Sequence, residues 1–284
     1  DRSAPAPRPQ EHTLFRFATP VLLAADGEGG GFHPPTIADF FPAPFLFEGT
    51  LLEFNRMQLV RLIAAIALVV FFVVAARRAK VVPGRLQSLA ELVVTFVKVN
   101  IAEDIIGKDK GGKYATFLTT VFAAILFFNL SGIVPGLNIA GTSLIGLPVM
   151  LALWVYVMYL GAGIKQHGLG GFLKVSLFPA GVPPFLYVLL TPVEILTVFV
   201  LRPATLALRL MANMVAGHLM LVLCFGATHY FVLEAVPAMK AFGALTLVGG
   251  IAITLFEVFV ATLQAYIFVV LAAVYINLSI SEEH

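Results

Sequence analysis

Long apolar stretches separated by short polar loops make up most of this chain. The first runs from Leu59 to Ala76, and two more, 114–134 and 144–164, follow as a pair. Two longer ones, 185–228 and 240–281, end the sequence. A helix crosses the roughly 30 Å hydrocarbon core of a bilayer with about 20 apolar residues. The pattern therefore predicts about five transmembrane helices, of which the last two are unusually long.

The stretch 185–228 is longer than one upright crossing needs. At about 1.5 Å per residue it would form a helix of about 66 Å, roughly twice the hydrocarbon core. The pattern leaves three alternatives open: a steep tilt, bends at Pro192 and Pro203, or a break into two crossings.

One segment, 86–106, is amphipathic instead of uniformly apolar. Its apolar positions recur at helical spacing between charged residues, at Leu89, Leu92, Val93, Phe96 and Val97. Such a helix is typical of the membrane interface, so we expect it to lie along the bilayer surface.

Residues 1–55 differ from the rest of the chain. They are rich in proline and glycine and carry no charged-then-apolar signal-peptide pattern. We expect a polar N-terminal extension outside the bilayer over 1–55, followed by a transmembrane helical domain over 56–284.

Composition narrows the class of protein. Of 284 residues, 60% are hydrophobic and 12% are charged, about half the usual share for a soluble domain. This excludes a soluble enzyme and a nucleic-acid-binding protein, and the single Cys224 excludes a disulfide scaffold. The predicted fold class is an all-α polytopic membrane protein.

The placement of charges predicts an orientation, whereas the net charge of +2 does not. Basic residues are concentrated in Arg77–Arg85, Lys108–Lys113 and Lys165–Lys174, and short loops rich in Lys and Arg stay on the inner side. With five crossings the N-terminus is outside and the C-terminus inside. The uncharged 135–138 turn and the loop around Glu234 are then outside.

Few charged residues fall within the apolar segments. Arg209, Glu257 and, nearer a helix end, Glu194 are predicted at or near membrane depth. Each needs an inward partner or an aqueous cavity, because a charge at the centre of a helix costs about 2.5–3.5 kcal/mol on insertion. Arginine does not lose its proton in proteins, so Arg209 suits a permanent positive barrier better than a proton carrier. Asn213, four residues on, shares its face.

Three further positions are candidates for proton transfer. His218 lies nine residues beyond Arg209, on roughly the opposite side of an ideal helix. A His218–Glu257 pair across two antiparallel helices would titrate near neutral pH and could pass protons, although a lone buried histidine is the alternative. Gln264 is seven residues from Glu257 on the same face, where a plain helix-packing role is the alternative.

No nucleotide-binding loop, metal-ligand cluster or nucleophile–base arrangement is present in the sequence. We therefore expect no cofactor and no catalysis by this chain alone.

Two motifs resemble a known family. ALRLMANMVAGHL at Ala207–Leu219 is similar to the signature of subunit a of the F-type ATP synthase, of the bacterial type. LQAYIFVVL at Leu263–Leu271 resembles the final-helix motif of that family. The two motifs occur in the family's order and spacing, and the resemblance extends over roughly residues 45–284.

The resemblance implies a proton-translocating stator with two aqueous half-channels beside a rotating ring of c-subunit proteolipids. Arg209 then corresponds to the essential arginine that faces a ring carboxylate. His218 and Glu257 correspond to a pair in the outer half-channel, Asn213 and Gln264 to polar residues near the arginine, and Glu194 to the inner exit carboxylate.

The same resemblance implies the surroundings of the chain. Its expected partners are the c-ring, peripheral-stalk subunit b, the catalytic head through indirect contact, and the lipid bilayer, without nucleic acid. The expected location is the bacterial inner membrane, with the mitochondrial inner membrane as the alternative. A proton- or ion-coupled permease remains the second functional hypothesis, although the internal repeat that is common in permeases is not visible.

Overall fold

The structure, a computed structural model, describes residues 55–134, 137, 139–177, 184–234 and 239–281. All regular secondary structure in these ranges is helical. The predicted N-terminal extension, apart from Asn55, lies outside the described residues, as do most of the predicted 135–138 turn and residues 282–284. The helices are α1 (Arg56–Arg77), α2 (Arg85–Val97), α3 (Asp104–Ile106), α4 (Lys108–Leu130), α5 (Gly146–Leu177), α6 (Tyr187–Leu196), α7 (Arg202–His229) and α8 (Lys240–Ile280).

Five helical spans in the described part of the chain are long and apolar enough to cross a bilayer. They are α1, α4, α5 up to Lys174, the joined run Leu189–Leu233, and α8. The predicted all-α polytopic fold is confirmed.

The joined run through α6 and α7 contains no turn at Pro203, so a break into two crossings there is excluded. A π-helical segment, Thr197–Leu201, links α6 to α7 without interrupting the helix. Pro203, which has no N–H to donate, is the second residue of α7 and directly follows this π-helical segment. The excess length predicted from the sequence is therefore present in one continuous run of 45 residues.

The amphipathic segment is helical as predicted, but its connection to the next helix differs from the prediction. After α2 come a π-helical segment, Lys98–Glu103, and the short α3, and Gly107 then turns the chain with a φ of 96°. α4 begins at Lys108, six residues before the predicted start, so the basic residues there belong to a helix. Gly111 permits this early start, because a Cβ at that position would meet the Ala102 carbonyl.

The glycine-rich segment after the third crossing is also more helical than expected. α5 continues to Leu177 across a kink at Gly168, whose φ is 72°. Phe172, beyond the kink, is buried and would contact a Cβ at Gly163. This apolar contact holds the extra turns against the bundle, where the sequence predicted a loop.

The core lies between α4, α5, α7 and the second half of α8. α8 contributes small buried residues, which let the helices approach closely: Ala261, Ala265, Ala272 and Ala273. α1 lies at the edge of this core, and much of its surface is exposed, as at Ile66 and Val69.

Two arginines attach the start of α1 to the segment that connects α4 and α5. Arg56 Nη2 donates to the Leu137 carbonyl at 3.1 Å. Arg61 donates to the Gly141 carbonyl at 2.8 Å through Nε and to the Leu144 carbonyl at 3.3 Å through Nη2. The first turns of α1 are thereby fixed to the end of the bundle that carries this connection.

Candidate functional site

α7 and α8 form a long antiparallel pair whose register is set by small and polar residues. Contacts between the two helices run in opposite sequence order. The contacting positions are Thr228 with Thr246, Phe225 with Gly250, Gly217 with Glu257, and Asn213 with Gln264. This register places the polar residues of the two sequence motifs against one another.

Glu257 is buried in this interface, with 3% of its surface exposed. Its carboxylate lies against the backbone of α7 at Gly217, where an added Cβ would be 2.9 Å from Oε1. Gly217 thus provides the space that the carboxylate occupies. Oε2 of Glu257 has no hydrogen-bond partner among the described residues, so an acidic group able to exchange a proton remains inside the helix pair.

One helical turn nearer the N-terminus of α7, a second polar contact joins the two helices. Asn213 Nδ2 donates to Gln264 Oε1 at 2.6 Å. Gln264 is 2% exposed, and its Nε2 has no hydrogen-bond partner within the described part of the chain. With Glu257 and Ala261, which are also buried, Gln264 forms the single polar face that the seven-residue spacing predicted.

Arg209 is exposed on α7, one helical turn before Asn213 and about 40° from it around the helix. Its exposed neighbours on α7 are Leu208, Ala212, Asn213 and Ala216. Across the ranges that the structure describes, Arg209 forms no hydrogen bond and no ion pair. It is close to the midpoint of the run Leu189–Leu233, and its positive charge lies on the exposed surface of the bundle.

His218 is half-buried and directly follows the glycine that contacts Glu257. The register of α7 and α8 therefore brings the predicted histidine and carboxylate to the same level of the hairpin. Arg56, at the start of α1, is close enough to His218 to act on it electrostatically. The sequence analysis did not single out Arg56 for this, because its nearness to His218 depends on how α1 packs.

A further polar residue in the core was also missed. Asn129, in the last turn of α4, is 1% exposed. Its Nδ2 donates to the Ala261 carbonyl of α8 at 3.4 Å, and its Oδ1 accepts from Thr142 Oγ1 at 2.6 Å. Ala261 lies between Glu257 and Gln264 on α8, so Asn129 brings a third helix to the polar face. The sequence feature that could have pointed to Asn129 is its position as the one carboxamide in the predicted apolar helix 114–134.

Glu194 is placed apart from these residues. It is half-buried on α6, beyond the π-helical segment, and forms no hydrogen bond or ion pair with the residues that the structure describes. Nearby in sequence, Arg202 lies over the ring of Tyr275 at 5.3 Å, and Val198 accepts a 2.7 Å hydrogen bond from Tyr159. These contacts join the first part of the long run to α5 and α8.

The site therefore has two parts with different chemistry. A largely buried row lies between α7 and α8, in which the carboxylate and the imidazole can accept and donate protons and the carboxamides form hydrogen bonds. A permanent cation stands on the outer face of α7 and cannot. Among the described residues there is no group of three His, Cys, Asp or Glu side chains that could hold a metal ion.

Comparison with known proteins identifies sequences that are similar to this chain over most of its length. The sequence model of the family "ATP synthase A chain" matches residues 58–277. A protein named ATP synthase subunit a from Rhodococcus erythropolis is 42% identical over 280 residues, which cover 98% of this chain and 99% of the relative. Proteins of the same name from Nocardioides sp. and Pseudarthrobacter chlorophenolicus are each 37% identical, over 94% and 90% of this chain and 99% and 97% of the relatives. The pairwise similarity thus extends into the N-terminal region, beyond the range 45–284 expected from the motifs.

Proposed function

The chain belongs to the ATP synthase A chain family, and from this we propose that it is the proton-translocating stator subunit of a rotary ATP synthase. It is a non-catalytic, multi-pass membrane protein of ATP synthesis and proton transport. The proposal is that it provides two aqueous half-channels to a rotating ring of proteolipid subunits and so couples proton flow to ATP synthesis.

The observation that carries the proposal is the exposed Arg209. A charge at the centre of a transmembrane helix costs about 2.5–3.5 kcal/mol, and no described residue of this chain compensates it. A carboxylate on a neighbouring chain would do so. The small neighbours Ala212 and Ala216 leave room for such a chain to approach α7 closely. We assign this face to the ring and Arg209 to the charge that meets the ring carboxylate.

The buried row supports an entry path on the other side of the same hairpin. We assign His218 and Glu257 to proton uptake from the outer side, because they share one level of the hairpin and both can change protonation. Asn213 and Gln264 would line the path between this pair and the turn that carries Arg209, where their amide groups can hydrogen-bond to water that carries the proton. Glu194, on the far side of Arg209 along the run, is assigned to the inner exit.

In this mechanism Arg209 separates the two paths. A ring carboxylate is neutralised from the entry path, turns through the lipid and returns to the exit path, where it releases its proton. A fixed cation between the paths repels a proton and so prevents a direct leak. One charge moved through 100 mV supplies about 2.3 kcal/mol, so several protons must pass for each ATP.

The test is the Arg209→Ala variant in the assembled complex. Proton-driven synthesis and ATP-driven pumping should both be lost, while hydrolysis by the detached catalytic head remains and passive proton leak persists or rises. Leu208→Ala, at the adjacent exposed position, is the matched control and should retain coupling. Near-normal synthesis by the Arg209→Ala variant would refute the barrier role.

The proposed partners are the c-ring, peripheral-stalk subunit b and, indirectly, the catalytic head, in a bacterial inner membrane. We propose an outer N-terminus and an inner C-terminus from the charge bias of the loops. Single cysteines at Glu234 and Lys165, in a Cys224→Ser background, should react with an impermeant thiol reagent from the outer and inner sides respectively. Labelling of position 234 from the inner side would overturn both the orientation and the assignment of the entry path.

A further inference from the structure

A groove outside the α7–α8 hairpin has no part in the proposed proton path. It lies between α1, α2 and α4 and has a volume of about 590 Å³, within the range of pockets that hold small organic ligands. Its α1 wall includes Leu68, Val69 and Phe72, and its α4 wall runs from Gly112 to Ala123.

The length of the groove matches one leaflet of a bilayer. The α4 wall from Gly112 to Ala123 covers twelve residues, and the eleven steps between its ends amount to about 16 Å along a helix. Half of a roughly 30 Å hydrocarbon core is about 15 Å. A groove of this length has the reach of a single acyl chain.

The walls are apolar in effect, although three threonines line them. Thr119 Oγ1 donates to the Ala115 carbonyl at 2.8 Å, and Thr120 Oγ1 donates to the Thr116 carbonyl at 2.9 Å. Two of the three hydroxyls are thus bonded within α4 itself. Both hydroxyls would therefore keep their hydrogen bonds when a hydrocarbon chain occupies the groove.

One end of the groove is cationic. Lys98 lines it, and helical spacing places Lys108 one turn before Gly112 and Arg77 one turn after Val73. Lys98 has a 3.9 Å ion pair with Glu103, but its side chain is 53% exposed, and exposed pairs of this kind contribute little. The ammonium group therefore remains available to an anion that arrives with a lipid.

We propose that this groove binds an anionic phospholipid, with one acyl chain between α1 and α4 and the phosphate at Lys98. Basic pockets between transmembrane helices suit anionic head groups, and each Lys or Arg near the membrane surface adds about a fivefold preference for them. The proposal is independent of the proton path and holds whether or not Arg209 acts as the barrier.

The test is lipid binding to the complex purified from its native membranes, measured by native mass spectrometry with phosphatidylglycerol and phosphatidylcholine as probes. Phosphatidylglycerol should bind more tightly, and Lys98→Gln should weaken it by about fivefold while phosphatidylcholine binding is unchanged. Lys165→Gln, an exposed lysine on α5, is the matched control and should change neither. Equal binding of the two lipids, or an unchanged affinity of the Lys98→Gln variant, would overturn the proposal.

A second measurement separates a lipid from a protein occupant. Thr116→Trp, which fills the groove, should weaken both lipids, whereas Val157→Trp on the exposed face of α5 should not. In the unmodified complex, a phosphatidylglycerol with a photoreactive group on its acyl chain should label the segment 112–123. If that segment instead cross-links to a transmembrane helix of another subunit and takes no lipid label, the lipid assignment is wrong.

Discussion

Replacement of Gly217 by alanine should impair proton uptake while leaving the stability of the chain nearly unchanged. The added Cβ would lie 2.9 Å from Glu257 Oε1 and 3.2 Å from Cδ. An ordinary contact is about 3.4 Å or longer, so the carboxylate must retreat by about 0.5 Å, which forces the Glu257 side chain away from its preferred geometry.

Two terms of opposite sign then act on the free energy of unfolding. Alanine is favoured over glycine inside a helix by about 0.8–1.0 kcal/mol, and a side chain moved off its rotamer costs about 0.5–1.5 kcal/mol. Their sum is close to zero. No opposing effect compensates the rate of proton uptake. A 1 Å misplacement of a reacting group can lower a rate by about a hundredfold, so a 0.5 Å shift of the Glu257 carboxylate should slow proton uptake by roughly tenfold.

Gly249→Ala on α8 provides the matched control. A Cβ at Gly249 meets nothing within 4 Å, so this variant should gain the full alanine preference of about 1 kcal/mol and conduct protons normally. Proton flux is measured in vesicles with a pH-sensitive dye, and stability by thermal inactivation of the assembled complex. In the Gly217→Ala background, Glu257→Asp shortens the side chain by one methylene and should restore more flux than additive losses allow.

The reasoning fails if Gly217→Ala stabilises the complex as much as Gly249→Ala does and conducts protons at the normal rate. That result would mean that the Glu257 carboxylate does not occupy the space beside Gly217.

Three further outcomes are expected. The exchange of His218→Glu with Glu257→His should recover more proton flux than the two single losses predict, and strict additivity would show that the two do not share a path. Asn213→Leu should destabilise the complex by about 1–3 kcal/mol, because it leaves the buried Gln264 without its hydrogen-bond partner. The second substitution Gln264→Leu should then restore most of the thermal stability. A double variant as unstable as the single one would contradict this. Thr142→Val should lower the stability of the complex by about 1 kcal/mol, because it removes the 2.6 Å hydrogen bond from Thr142 to Asn129 of α4. An unchanged melting temperature would show that this bond contributes nothing to stability.

Much of the fold could be predicted from hydrophobic patterning, because each crossing is a long apolar run whose backbone must satisfy its own hydrogen bonds in lipid. The five spans and the amphipathic helix follow from this. The early start of α4 and the helical turns after Gly168 could not, since each depends on one glycine that accepts a positive φ or a close contact.

The candidate site, too, could be predicted from the sequence only in part. The shared face of Glu257 and Gln264 follows from their spacing, and so does the separation of Arg209 from His218. The register that pairs Asn213 with Gln264, and Gly217 with Glu257, could not be predicted from the sequence. If α7 slid along α8, each helix would keep the same face towards the other, but every residue would have a different partner. Asn129 and Arg56 join the site through tertiary packing, which the pattern of a single helix does not encode.

The exposed Arg209 also has a consequence for how the protein is made. A newly inserted chain carries this charge into the bilayer before the proposed ring can meet it. During that interval the chain bears the full free-energy cost of an uncompensated cation in the membrane. Cellular proteases remove proteins according to the population of such unfavourable states. A cell that synthesises this chain without its ring should therefore accumulate little of it, and the ring would set the amount of stator that survives.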